Sequence, residues 1–463
     1  MVRNLRAHKV QWLIVFLTFV LFPIRKLDGY SVLSHEALID AVWQPVIVPL
    51  LLRRFPVATP EQLRKAHAYA YGGCVIQDMG YYPFGNHFFS DLTHYVRSAD
   101  FIKALLEDSR NLDEYAFALG ALSHYAADNT GHPLAVNLSV PDLYPKLEKK
   151  YGKRVTYEDD PKAHIMVEFS FDVVQVAGAG YLPKTYHNFI GFKVSKALLG
   201  RAFMQTYGIN FAELFWNEGL SIDIYQLGAS EVIPRLTQIT WQQRRKKILS
   251  LYPAIVDRKY IYKVSSQNYA RGPVASQKPP EFRLRKLTSQ AKFKLEQAQL
   301  TLFARFLVFL VELLPKVGAL QTLQFKAPTP HTQTLFINSF ADTVQRYHGL
   351  LAGVAGNHLM LENTNFDTGK AIHAGDYELA DKTYAELLKK LASDHFHRVT
   401  PEIRADILAF YGNLNGPIAT KNHPRAWRKL LRELDLLKSR EAQTQTAAEP
   451  GLVRIPPSPS DAP

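Results

Sequence analysis

Cysteine is almost missing from this chain: Cys74 is the single one in 463 residues. No intramolecular disulfide can form, so a packed core has to hold the fold, and cysteine usage gives no sign of an oxidising compartment. Alternating apolar and polar runs joined by hairpin turns are scarce, which argues against a sheet protein. No fixed-period repeat is visible. Long apolar runs are also lacking beyond the N-terminus. The stretch from Leu300 to Leu314 is apolar but carries Arg305 and Glu312, so it reads as a buried helix rather than a membrane span. Charged residues make up 21% against 47% hydrophobic, a globular and not a disordered balance.

The charge that is present is mostly positive, with a net of +13. A basic surface favours anionic partners such as phosphates, nucleic acid or acidic lipid head groups, and simple solubility explains it equally well. Arg3, Arg6 and Lys9 precede an apolar run from Trp12 to Ile24. That run is short for a span and suits a signal peptide over 1–29, cut after Gly29 so that Tyr30 leads the mature chain. The small-residue pattern before the cut is poor, so an uncleaved anchor is the alternative to export.

Helical periodicity dominates the rest, and an all-α fold is expected. Helices are expected at Glu36–Leu52, Pro60–Ile76, Asp91–Leu106, Asp113–Ala127 and Lys162–Val176. Thr59 and Pro60 suit the cap and first position of a helix. Gly131 and Pro133 are expected to end the helix opened by Asp113. Tyr260 to Pro280 has linker composition. Further helices are expected at Thr288–Leu314, Gln333–Val354, Leu379–Leu391, Pro401–Tyr411 and His423–Leu437. The domain reading is therefore a helical domain over 30–250, a second over 281–440, and a disordered tail over 441–463.

Histidines are concentrated in the first domain: eight of the sixteen lie from His35 to His187. His124 and Asp128 are four apart, as are His164 and Glu168, so each pair shares a helix face. His132 follows Asp128 by four more. Such a pair on a surface helix is usually a solvated face, and His358 with Glu362 is read that way. The two first-domain pairs sit in apolar segments, where unpartnered imidazoles and carboxylates are costly and a metal is one good partner. His35, Asp78 and His87 complete the inventory. His87 lies in an aromatic loop containing Tyr81, Tyr82, Phe84, Phe88 and Phe89, either plain packing or a hydrophobic shell around a ligand.

In this order the residues resemble the zinc-dependent phospholipase C superfamily, over about 30–180. That group includes bacterial phospholipases C, the catalytic domain of GPI-specific phospholipase D, and single-strand-specific nucleases. The resemblance implies an all-helical domain with three Zn2+ ions. One would be held by Asp78, His87, His124 and Asp128. A second would be held by His132, His164 and Glu168. A third would use His35, Asp128 as a bridge, and the amino group and carbonyl of Tyr30. The step from Asp128 to His132 is shorter than in better-known members. His94 competes with His87 for its slot, and the aromatic loop favours His87.

The resemblance further implies a phosphodiester hydrolase in which zinc activates a water and Asp78 helps orient it. Phospholipid at a membrane surface is the expected substrate. Single-stranded nucleic acid is the less favoured alternative, since the basic runs at Arg244–Lys247 and Arg283–Lys286 lie away from the metal residues. A non-enzymatic helical protein with structural zinc is the third reading. No protein partner is inferable. Asn365 to Lys370 has the composition of a structured turn, with cap, membrane contact and partner binding all open as roles.

Overall fold

The computed structural model describes residues 31–177, 191–251 and 325–447. The expected signal peptide, Tyr30, the linker at 260–280, the helix at 288–314, and 448–463 lie outside the described residues. What is described is almost wholly helical, with a two-stranded hairpin as the only sheet among these residues. Contacts divide the residues into two units between Ile372 and His373, with Tyr207–Ile209 grouped with the second. The helix Pro330–Ala355 and the hairpin Thr364–Ala371 thus belong to the first unit, although the sequence groups them with a C-terminal domain.

The first unit is built around the Leu112–Gly131 helix, which is buried on nearly every side. Pro60–Cys74 crosses it closely, opened by a Thr59 capping box as its sequence predicts. Glycine sets the separation of the two. A Cβ on Gly73 would sit 2.1 Å from the Phe117 carbonyl oxygen, and one on Gly120 2.1 Å from that of Ala70. Only hydrogen fits at both places. The helix Pro330–Ala355 packs on the same central helix, where the Tyr347 hydroxyl donates to the Leu119 carbonyl at 2.8 Å.

Pro133, expected to stop a helix, does not, and Pro45 is likewise carried inside a helical path. The segment Val32–Arg54 is one helical path interrupted by a π-turn at Trp43–Ile47 that takes in Pro45. Likewise the central helix passes Gly131 into a π-turn at His132–Val136 and continues as Asn137–Leu143. The wider turn accommodates Pro133, which has no N–H to donate. By length and apolarity Val32–Arg54 is able to cross a membrane. Here it carries buried His35, Glu36 and Asp40 and packs as core.

The expected helix over 91–106 is two helices, His87–Tyr95 and Ser98–Glu107, broken at Arg97 with φ 49°. A distant segment makes the break. The Asn363 side-chain oxygen accepts from the backbone N–H groups of Ala99 and Asp100 at 2.9 and 3.1 Å, and Ser98 Oγ donates to the Thr364 carbonyl. The Phe366 N–H donates to the His94 carbonyl at 3.2 Å. The second unit contains Glu378–Ser393, Pro401–Phe410 and Pro424–Ala447. Its last helix extends beyond residue 441, where the sequence suggests a tail. Tyr384 stacks on Phe410 at 3.6 Å in its core.

Candidate metal centre

Three groups of buried histidines and carboxylates converge in the first unit. They are Asp78, His94 and His124; His35, His124 and Asp128; and His132, His164 and Glu168. Within each group one donor atom per residue lies within 4.8 Å of the others. Asp78 comes from the 3-10 turn Ile76–Tyr81, delivered by the tight crossing at Gly73. His124 and Asp128 lie on one face of the central helix, as their spacing requires, with Nε2 3.0 Å from Oδ2.

The Asp128 carboxylate faces two ways. Oδ2 lies near His124 Nε2 and 3.5 Å from His94 Nε2, while Oδ1 lies 3.5 Å from His35 Nε2. The His35 and His124 rings stack with centroids 4.5 Å apart. The third group sits where the central helix enters its π-turn. His164 Nε2 is 2.8 Å from Glu168 Oε1, and His132 Nε2 is 3.7 Å from the same oxygen.

Backbone carbonyls set the tautomers. His124 Nδ1 donates to the Cys74 carbonyl at 3.0 Å and His94 Nδ1 to that of Ser90 at 2.8 Å. With Nδ1 carrying the proton, Nε2 of each ring is a bare lone pair aimed into the cluster. His124 therefore has one metal-binding atom to give, although two groups include it.

His94, and not His87, stands beside Asp78, with Nε2 3.4 Å from Oδ1. His87 belongs to none of the three groups. It is the first residue of its helix, with its ring 5.6 Å from that of Tyr81. Two helical turns further on, His94 points inward where its helix stops. The aromatic loop that favoured His87 is largely core: Tyr81, Tyr82 and Phe89 are buried, and Phe89 packs against Phe101, Phe203, Phe211 and Phe215. His67 pairs with Asp40 at 3.0 Å and stacks on Trp43, away from the groups.

Electrostatics prepare these donors for a cation. Burial pushes the His164 pKa down to about 3, with His132 adding to the effect, so the ring is neutral at ordinary pH. Burial and the neighbouring His124 likewise hold His35 well below its usual range. Burial opposes ionisation of Asp128, but the nearby His124, His132 and His94 rings outweigh it and keep the carboxyl well below the usual value. Asp78 is raised, by burial first. Neutral imidazole and carboxylate in threes, without thiolate, form a donor set that fits zinc. Both ring nitrogens of His164 and both oxygens of Asp128 lack a hydrogen bond of normal geometry among the described residues, so the unprotonated imidazole nitrogen and the carboxylate oxygens keep lone pairs for a metal.

Residues 34–217 match a family model described as zinc dependent phospholipase C. Over this span the chain is similar to the zinc-dependent phospholipase C family. No curated protein and no solved structure matches the chain. The matched span contains every residue of the three groups.

Two further acids lie near these groups. Asp172 is buried and receives the backbone N–H groups of Leu33 and Ser34 and the Ser34 hydroxyl, at 2.9, 3.1 and 2.6 Å. It thereby anchors the helix start that carries His35. Burial raises its pKa to about 6 despite these hydrogen bonds. Asp367, in the hairpin turn, has Oδ1 3.4 Å from His132 Nδ1. A single buried acid has no periodic signature: nothing in the pattern marks Asp172, and Asp367 is visible only as part of the Asn365–Lys370 turn.

Proposed function

We propose that the chain hydrolyses phosphodiester bonds of phospholipids, cutting between the glycerol oxygen and phosphorus. The convergence of the three buried donor groups inside the family-matched span is the observation that carries this reading. In it, Asp78, His94, His124 and Asp128 would hold one zinc. His35 and Asp128 would hold a second, with the backbone of Tyr30 after removal of 1–29, as the resemblance implies. His132, His164 and Glu168 would hold the third. Zinc in such a site lowers the pKa of bound water towards neutrality and neutralises charge on phosphoryl oxygens.

The protein side of the chemistry falls to Asp78. Its burial raises its proton affinity among the liganding carboxylates, which suits it to orient the attacking water and accept its proton. Attack at phosphorus forms one P–O bond and breaks the bond to the glycerol oxygen. That oxygen takes up a proton and leaves as diacylglycerol, and the phosphorylated head group remains. The two oxygens of Asp128 face different histidines, so Asp128 would serve both sites and its loss would disable both. Export, or anchoring through 1–29, would place the enzyme where it meets lipid.

The test is hydrolysis of phosphatidylcholine vesicles by the mature chain, with denatured DNA assayed in parallel. Phosphocholine release that is lost on chelation and restored by zinc supports the proposal. Cleavage of DNA alone, or activity indifferent to chelators, contradicts it.

A further inference from the structure

The hairpin Thr364–Ala371 lies beyond the residues matched by the family model, yet its turn enters the metal region. Asp367 is 1% exposed, and Oδ1 stands 3.4 Å from His132 Nδ1. Its other oxygen accepts the Tyr157 N–H at 2.8 Å, and its carbonyl accepts from the Asn137 side chain at 2.8 Å. The backbone of the turn is tied as well: Asn365 Oδ1 accepts from the N–H groups of Asp367 and Thr368. Gly369, with φ 68°, lets the turn approach the Asn129 carbonyl, which a Cβ would meet at 3.0 Å. The carboxylate is thus delivered by a fixed element.

His132 meets this carboxylate at Nδ1. His94 and His124 have backbone carbonyls on Nδ1. His132 is the first residue of a π-turn, and its Nε2 looks towards Glu168 while its Nδ1 looks towards Asp367. Either ring nitrogen of a free imidazole can carry the proton, and the tautomer with Nε2–H cannot bind metal on the Glu168 side. A carboxylate on Nδ1 selects the Nδ1–H form and makes Nε2 a stronger donor.

We propose that Asp367 is a positioning residue for His132: it accepts the Nδ1–H of the imidazole and so presents Nε2 to the metal held with His164 and Glu168. This rests on the metal-binding part of the proposed function and is independent of which phosphodiester is cleaved. A segment from outside the family-matched span therefore completes one of its metal sites.

Histidine-selective nitrogen NMR on the metal-free full chain tests it without catalysis. Wild-type His132 is expected as the Nδ1–H tautomer, Asp367→Asn is expected to retain it, and Asp367→Ala is expected to lose it. Zinc transfer to a chelator is the second readout. Asp367→Ala should release one class of zinc about 10- to 100-fold faster than wild type, with Asp367→Asn close to wild type. An Nε2–H tautomer in wild type overturns the proposal, and that measurement decides even if Asp367→Ala does not fold. Unchanged tautomer and release in Asp367→Ala also overturn it. So does X-ray absorption showing that both variants lose a zinc-bound oxygen, since Asp367 would then be a ligand. A chain that binds zinc but cleaves no phospholipid contradicts the proposed function and leaves this test intact.

Discussion

His94 Nε2 lies 3.4 Å from Asp78 Oδ1, sixteen positions away in sequence, while His87 joins none of the three groups. The pairing follows from the short helix His87–Tyr95, which starts in the aromatic loop and ends at the cluster. His94→Ala should therefore lower bound zinc and reduce hydrolysis at least about 100-fold, above the usual range for partners behind a ligand. His87→Ala should keep its metal. Zinc content and activity of the two variants, measured side by side, check this.

The Gly120 contact sets how closely the two central helices cross. Replacing it with alanine puts a methyl group against the Ala70 carbonyl oxygen, which is backbone and has nowhere to go. Gly120→Ala should cost about 1–3 kcal/mol or more, as overpacked core sites do. Urea unfolding of the metal-free chain measures it. Gly200, which has open space around its Cβ position, serves as the control.

Much of this was legible in the sequence, and what was legible is local. Four-residue spacing put His124 with Asp128 and His164 with Glu168, because helix geometry alone determines those faces. The break at Arg97 was illegible because Asn363 and Thr364, far along the chain, cap the second helix. Pro133 misled for a different reason: a π-turn absorbs a proline that an α-turn rejects. Asn365–Lys370 read as a turn, but only the packed structure reveals that its acid faces His132.

Asp172 makes stability depend on pH. Its folded pKa of about 6 is above the ordinary carboxyl value of 3.8. The folded state therefore binds its proton more tightly, and this contribution is fully present below about pH 4 and is lost as pH rises through about 6. The change is on the order of 3 kcal/mol. Unfolding free energies of wild type should show this decline relative to Asp172→Asn, which has no proton to lose; parallel curves would contradict the assignment.

Phe366 is buried against the rings of His94, Tyr125 and His124, at 5.3, 5.5 and 6.2 Å. Phe366→Ala should destabilise the first unit by about 3–5 kcal/mol through the cavity it leaves. It should also loosen His94, so zinc is removed by weaker chelators than in wild type. Thermal unfolding with and without zinc separates the two effects.

The central claim is that three buried groups in the first unit hold zinc. Anomalous diffraction at the zinc edge, on crystals of the mature chain grown without chelators, tests it most directly. Peaks are expected within coordination distance of Asp78, His94 and His124, of His35 and Asp128, and of His132, His164 and Glu168. Peaks elsewhere, or none in a zinc-replete crystal, would contradict it and return these histidines to ordinary core packing.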